Sequence, residues 1–162
     1  MKAIKIVFTS PKSFKIGSAG IKLWQGCTSY SHVAIELDNE MLFHAAHGSV
    51  HFATKESFLN DNKITESVEL FLSDELYYLM LQKMSEFVGI LYGYDELLKI
   101  IFSDIVWNIT GIRLNIGNGR GFICSELVGS LLTYIIGAKF RKPLNLLTPK
   151  DIRNYLKEQR YA

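Results

Sequence analysis

Two thiols and four imidazoles are the side chains in this chain suited to nucleophilic and acid–base chemistry near neutral pH. Their placement is uneven: His32, His44, His47 and His51 crowd into one stretch, whereas Cys27 and Cys124 are far apart. Cys124 stands where a glycine-rich run, Gly117-Asn118-Gly119-Arg120-Gly121, meets the apolar pattern Phe122-Ile123-Cys124-Ser125-Glu126-Leu127-Val128. A thiol at a helix N-terminus feels the positive end of the aligned peptide dipoles, which favours the thiolate. The uncommitted N–H groups of a first helical turn can also hold an oxyanion. Small residues before the helix let a substrate approach the backbone. These are the requirements of a cysteine nucleophile. A free cysteine is more often a small buried hydrophobe, and the segment alone leaves both readings open. Cys27 lies in a polar turn, Gln25 to Ser29, with no helix start beside it, and is assigned no role.

The histidines are best read through the strands that carry them. In Ser31–Leu37 the odd positions Val33, Ile35 and Leu37 are apolar, and in Met41–Ala46 so are Met41, Phe43 and Ala45. Successive strand residues point to opposite faces. A three-residue turn, Asp38-Asn39-Glu40, pairs Leu37 with Met41 and sends every odd residue to one core face. His32 and His44 then share the other face as diagonal neighbours. A two-residue turn would put them on opposite faces and split the apolar set, so the pattern favours three. Two other readings stand beside a catalytic pair. The histidines are ordinary polar residues of a half-exposed sheet, or they bind a metal. Against the metal, His44, His47 and His51 lack the helical i, i+4 pair and a third ligand at a recognised spacing.

The remaining elements must position these groups. Lys2 to Phe8 alternates lysine with apolar residues and predicts a first strand, ended by Ser10-Pro11. A short helix is expected over Ile16 to Gln25, strands over Ser49–Ala53 and Lys63–Leu72, and one or two helical turns over Thr54 to Leu59. Ser73 is an N-cap followed by Asp74 and Glu75, where the helix dipole favours acids. Leu76, Leu79, Met80, Met84 and Phe87 form the buried stripe expected of that helix. A further helix is expected over Asp95 to Trp107 and a loop over Asn108 to Gly121. A strong helix is expected over Cys124 to Ala138, with Leu127, Val128, Leu131, Leu132, Ile135 and Ile136 on one face. Thr148-Pro149-Lys150-Asp151 opens a last one. The fold class is α+β, a mainly antiparallel sheet packed with helices.

Composition narrows the function classes. The 162 residues are 48% hydrophobic and 21% charged with three prolines, which predicts one globular domain over 1–162 and excludes a disordered or collagen-like chain. A net charge of +2 gives no case for a dedicated nucleic-acid binder. Two cysteines make no disulfide framework and predict a reducing compartment. The first residues, MKAIKIVFTSPK, lack a signal peptide's apolar stretch. The longest uncharged apolar run, Leu127 to Ala138, falls short of the roughly 18 residues of a membrane span. The expectation is a soluble, cytoplasmic protein with no transmembrane segment. The glycine run lacks the lysine and Ser/Thr of a phosphate loop, so a nucleotide site is not expected.

The ordered set of motifs resembles a family. Ser31-His32-Val33-Ala34-Ile35 opens a strand, Leu42-Phe43-His44-Ala45-Ala46 follows on the next, and Phe122-Ile123-Cys124-Ser125-Glu126-Leu127-Val128 comes last at a helix start. This resembles the circularly permuted papain-like cysteine hydrolases, the NlpC-like superfamily, with its YiiX-like and lecithin–retinol acyltransferase-like branches. Tyr92-Gly93-Tyr94-Asp95 and Leu147-Thr148-Pro149-Lys150-Asp151 are similar to the YiiX-like pattern. The resemblance implies Cys124 as nucleophile, His32 as general base and His44 as the third polar residue that steadies the His32 imidazolium. The third position is often acidic in the YiiX-like branch, and a histidine there is more like the acyltransferase-like branch. His47, His51 and Glu126 receive no catalytic role. The implied activity is a cysteine hydrolase, a peptidase or amidase working through an acyl-enzyme on a peptide or isopeptide, with no cofactor and no metal. A lipid-ester or thioester hydrolase or acyltransferase of the same fold is the alternative, and an inactive lipid- or peptide-binding module a third. Trp24, Tyr30, Tyr92, Tyr94 and Trp107 are candidates to line an apolar cleft, although aromatics at such spacings more often belong to a core.

Overall fold

The computed structural model describes residues 1–46, 48–93, 106, 110–112 and 121–159. His47, all but Val106 of the expected helix over Asp95 to Trp107, and most of the expected loop over Asn108 to Gly121 lie outside the described residues. The fold is α+β. Five strands, β1 (Lys2–Pro11), β2 (His32–Glu36), β3 (Met41–Ala46), β4 (Ser49–Thr54) and β5 (Asn62–Leu72), form one sheet in the order β4-β3-β2-β1-β5. Every neighbouring pair is antiparallel. β1 runs three residues past the expected Phe8, because β5 continues to pair with it as far as Pro11↔Asn62. A proline at a strand end gives up only a ladder bond that is lost there anyway.

The β2–β3 turn has the predicted length. Ile35 pairs with Phe43 and Glu36 with Leu42, and the Leu37 N–H donates to the Met41 carbonyl at 2.8 Å. Glu40 takes a left-handed φ of 61°, as the last residue of a three-residue hairpin loop commonly does. Asn39 Oδ1 accepts from the Met41 N–H at 3.2 Å. The loop is also held from outside: Tyr77 Oη donates to Asp38 Oδ1 at 2.6 Å and Lys2 Nζ to Asp38 Oδ2 at 2.7 Å.

This register divides the side chains as the alternation requires. Val33, Ile35, Leu37, Phe43 and Ala45 enter the main core with Ile4, Ile6 and Phe8 of β1. The opposite face is not open to water. Val7, Ala34, Leu42 and Phe58 form a second, smaller apolar cluster there. Phe58 is carried by α2 (Lys55–Asp61), whose N-cap Thr54 accepts from the Ser57 N–H.

The other helices are α1 (Ile16–Trp24), α3 (Asp74–Phe87), α4 (Cys124–Ile136) and α5 (Pro149–Glu158). Ser73 caps α3 by accepting from the Leu76 N–H. Tyr77, Met80 and Met84 of α3 are buried, while Leu79 is exposed. The expected stripe is thus corrected by one position: Tyr77 turns inward because its hydroxyl finds Asp38, and Leu79 is rotated out. α4 buries Leu127, Val128, Leu131, Leu132 and Ile135 over β2 and β3 and ends on Gly137, whose φ of 65° is left-handed. α5 opens with the predicted capping box, Thr148 and Asp151 exchanging bonds across Pro149.

Residues 89–93 extend the sheet beyond β4 and lead toward α4. The Gly89 N–H donates to the Val50 carbonyl, the Val50 N–H to that of Ile90, and the Tyr92 N–H to that of Gly48. The strip then meets the residues before α4: Phe122 N–H bonds the Leu91 carbonyl and Gly93 N–H the Phe122 carbonyl, both at 3.0 Å. Gly121 permits this approach. A Cβ there would stand 2.6 Å from the Leu91 oxygen and 2.7 Å from the Gly93 nitrogen, both backbone atoms that a rotamer change cannot move. Gly20, in α1, has nothing within 4 Å of its missing Cβ. Gly121→Ala is therefore expected to destabilise by about 1–3 kcal/mol. Gly20→Ala should stabilise by about 0.5–1 kcal/mol through helix propensity. Thermal unfolding of the two variants checks both signs, and a neutral Gly121→Ala would contradict the close approach.

Candidate catalytic site

The main core packs Cys124 against the sheet. It is the first residue of α4, 5% exposed, in the same cluster as Val33. The N-cap, Ile123, supplies no side-chain cap, which leaves the first-turn N–H groups without one. Two contacts fix the start of this helix. Ser125 Oγ donates to the Leu147 carbonyl at 2.5 Å, tying α4 to the segment before α5. Gly129 lets Leu147 approach, since a Cβ there would stand 2.5 Å from Leu147 Cδ1.

Opposing forces act on the thiol. Burial pushes Cys124 up to about 11. The backbone N–H groups of Val33, Ser125 and Cys124 itself and the Tyr92 hydroxyl pull the other way by hydrogen-bonding the sulfur. The Val33 N–H belongs to the peptide that joins it to His32. The amide next to His32, at the start of β2, is thus one of the groups acting on the thiol.

The structure brings His32 and His44 together as the register requires. Their ring centroids are 5.5 Å apart, edge to face. Phe58 of α2 lies across both, 6.2 Å from His32 and 5.0 Å from His44. His44 is buried and His32 half-buried. These are not the side chains of a half-exposed sheet, because α2 covers the face. The two imidazoles stand on the α2 side of β2 and β3, whereas Cys124 and Val33 belong to the core on the α4 side. Cys124 and the His32–His44 pair thus lie on opposite faces of the sheet, and the link between them is the Val33 N–H, the amide after His32, which acts on the thiol.

The neighbours extend the pair. His51 is the cross-strand partner of His44, with ring centroids 4.5 Å apart, and its Nδ1 lies 3.0 Å from the Ser49 carbonyl. Thr9, wholly buried, is the cross-strand partner of His32. A β-bulge follows Phe8 at this point, with Thr65 Oγ1 donating to the Phe8 carbonyl at 3.0 Å. Bulges commonly re-aim side chains beside functional sites. Among the described residues no group of three or more His, Cys, Asp or Glu is placed to hold a metal ion.

Tyr92 is the site residue whose contact sequence reasoning missed. It is a candidate for a cleft wall; in the structure its hydroxyl is instead among the groups that pull the Cys124 thiol down against burial. Among the described residues the backbone strip over 89–93 joins the two, and no local motif encodes a strip. Tyr30 is in the core, Trp24 is half-buried, and Tyr94 and Trp107 lie outside the described residues. Cys27 is exposed in its turn, with a left-handed φ of 61°. No family model matches the chain, and no curated protein matches it.

The direction of the thiol shift makes a measurable difference. An unfolded chain loses the Cys124 proton near the ordinary value of 9.0, the folded chain only near about 11. The stability that burial of the neutral thiol contributes is fully present below about pH 9 and is lost as pH rises toward about 11. Wild type should lose up to about 3 kcal/mol more than Cys124→Ala across that window. Urea unfolding at stepped pH reads the difference, with Cys27→Ala as the control that tracks wild type.

Proposed function

We propose that this chain is a cysteine-dependent acyl hydrolase of the permuted papain-like kind, with Cys124 as nucleophile, His32 as general base and His44 behind His32. What supports the reading is that the thiol at the N-terminus of α4 is acted on by the Val33 N–H, the amide next to His32, and that the His32 ring lies against that of His44.

The chemistry follows from the protonation state. A thiol pushed up to about 11 rests protonated at neutral pH. The nucleophile is therefore made by transfer of the Cys124 proton to His32 as the sulfur attacks the substrate carbonyl. The N–H groups of the first turn of α4 face the developing oxyanion. The His32 imidazolium protonates the leaving group as the carbonyl re-forms, giving a thioester on Cys124. Water then attacks, His32 accepts its proton, and the carboxylic acid departs with the thiol restored. His44 stabilises the imidazolium at each stage from its diagonal position.

An amide or isopeptide is the first substrate class. A lipid ester or thioester is the second, favoured by the histidine at the third position. Cys27 and Cys124 are both free thiols, which supports a reducing, cytoplasmic setting. Among the described residues no helix is long and apolar enough to cross a membrane.

Intact-mass analysis with a panel of amide, ester and thioester probes is expected to show one acyl adduct, mapped by proteolysis to Cys124. Cys124→Ala should abolish it, and His32→Ala should slow its formation by at least about 10³-fold. His44→Ala should slow it less, with the acid limb of the pH profile displaced. Labelling of Cys27 alone, or no adduct with any probe while a ligand still binds Cys124→Ala, would replace the enzyme with a binding module on the same frame.

A further inference from the structure

α1 is fastened to the body along one face only. Ser18 and Ser31 share a hydrogen bond between their hydroxyls, Ile21 is buried, Lys22 Nζ donates to Ser10 Oγ at 2.6 Å, and Gln25 Oε1 accepts from the Lys150 N–H at 2.9 Å. Positions 18, 21, 22 and 25 are one helical stripe. The opposite stripe includes Gly20 and Leu23, and Leu23 is 69% exposed. Phe14, just before the helix, is 85% exposed. Two large apolar side chains thus protrude at either end of a nine-residue helix.

Cations surround them. Lys12 and Lys15 are exposed beside Phe14. Lys150 Nζ is held on the Gln25 carbonyl at 2.9 Å, just past the end of α1. No Asp or Glu occurs before Glu36, and that carboxylate is buried against Lys55. An acid from another element beside this surface is the exposed Asp61, whose carbonyl accepts from the Lys12 N–H, with Lys63 close to it in sequence. Asp151, next to Lys150, is bridged by Lys142.

We propose that this surface docks on an anionic lipid bilayer, with Phe14 and Leu23 entering the acyl boundary and Lys12, Lys15 and Lys150 at the headgroups. Isolated apolar prominences ringed by lysine on a convex helix suit a deformable anionic surface. A protein-binding patch would instead cluster its aromatics and be poor in lysine. The docking does not depend on the chemistry assigned to Cys124.

The test is sedimentation of the full chain with vesicles of phosphatidylcholine alone or with phosphatidylserine added. Binding is expected to the anionic vesicles only and to fall at high salt. Phe14→Ser with Leu23→Ser, and separately Lys12→Glu with Lys15→Glu, should each weaken it by at least about tenfold. Cys124→Ala should bind as wild type does. All these positions but Cys124 are on the surface, and unchanged melting temperatures confirm that the surface variants fold. Absence of wild-type binding to anionic vesicles would overturn the proposal, as would equal binding by both double variants. So would a vesicle-free self-association that the Phe14→Ser, Leu23→Ser pair abolishes, which would make the surface an interface between copies.

Discussion

The phase of the β2–β3 hairpin is the constraint on which the rest depends. Side chains alternate along a strand, so moving the pairing by one residue would exchange the two faces of β3. Phe43 and Ala45 would leave the main core, and His44 would lose His32. What holds the phase is local and electrostatic: a turn of three residues, with Asp38 gripped by Tyr77 and Lys2. Lys2 and the Tyr77 hydroxyl hold the Asp38 carboxyl below its usual range. Burial, then the bond to Asp38, pushes the Tyr77 phenol up to about 12. Each partner is thus kept in the protonation state that the bond needs across the neutral range. The turn is tied at once to the first strand and to α3, elements remote in sequence.

Given that phase, burial on both sides of the sheet follows. α4 and its neighbours cover the odd-numbered side chains of β2 and β3, and α2 covers the even ones through Phe58. The even face groups its imidazoles beneath that helix. His44 lies between His32 and His51 at 5.5 and 4.5 Å, beneath an aromatic ring. The Cys124 thiol, in the main core on the other face, is neutral by burial and surrounded by donors that favour its anion.

Much of this arrangement is legible in the sequence because it is written in short-range patterns. The alternation in Ser31–Leu37 and Met41–Ala46 and the three turn residues between them suffice to place His32 beside His44. Ser73 and the Thr148–Asp151 box mark helix starts through bonds spanning three residues. What is not legible is set by distant partners. Tyr77 displaces Leu79 from the buried stripe because Asp38, thirty-nine positions away, accepts its hydroxyl. Tyr92 reaches Cys124 through backbone bonds to Gly48 and by way of Phe122, which leave no side-chain signature. The second apolar cluster depends on where a seven-residue helix folds back, and a single phenylalanine at its centre gives no periodicity to read.

The contacts of α1 connect its outer surface to the site. Its inward stripe ends on Ser31, the residue before His32, and on Lys150, two residues after the cap of α5. The Leu147 carbonyl, immediately before that cap, receives Ser125, the residue after Cys124. Two short chains of bonds thus run from α1, one to the start of β2 and one through the head of α5 to the start of α4. The imidazole and the thiol are attached at their ends.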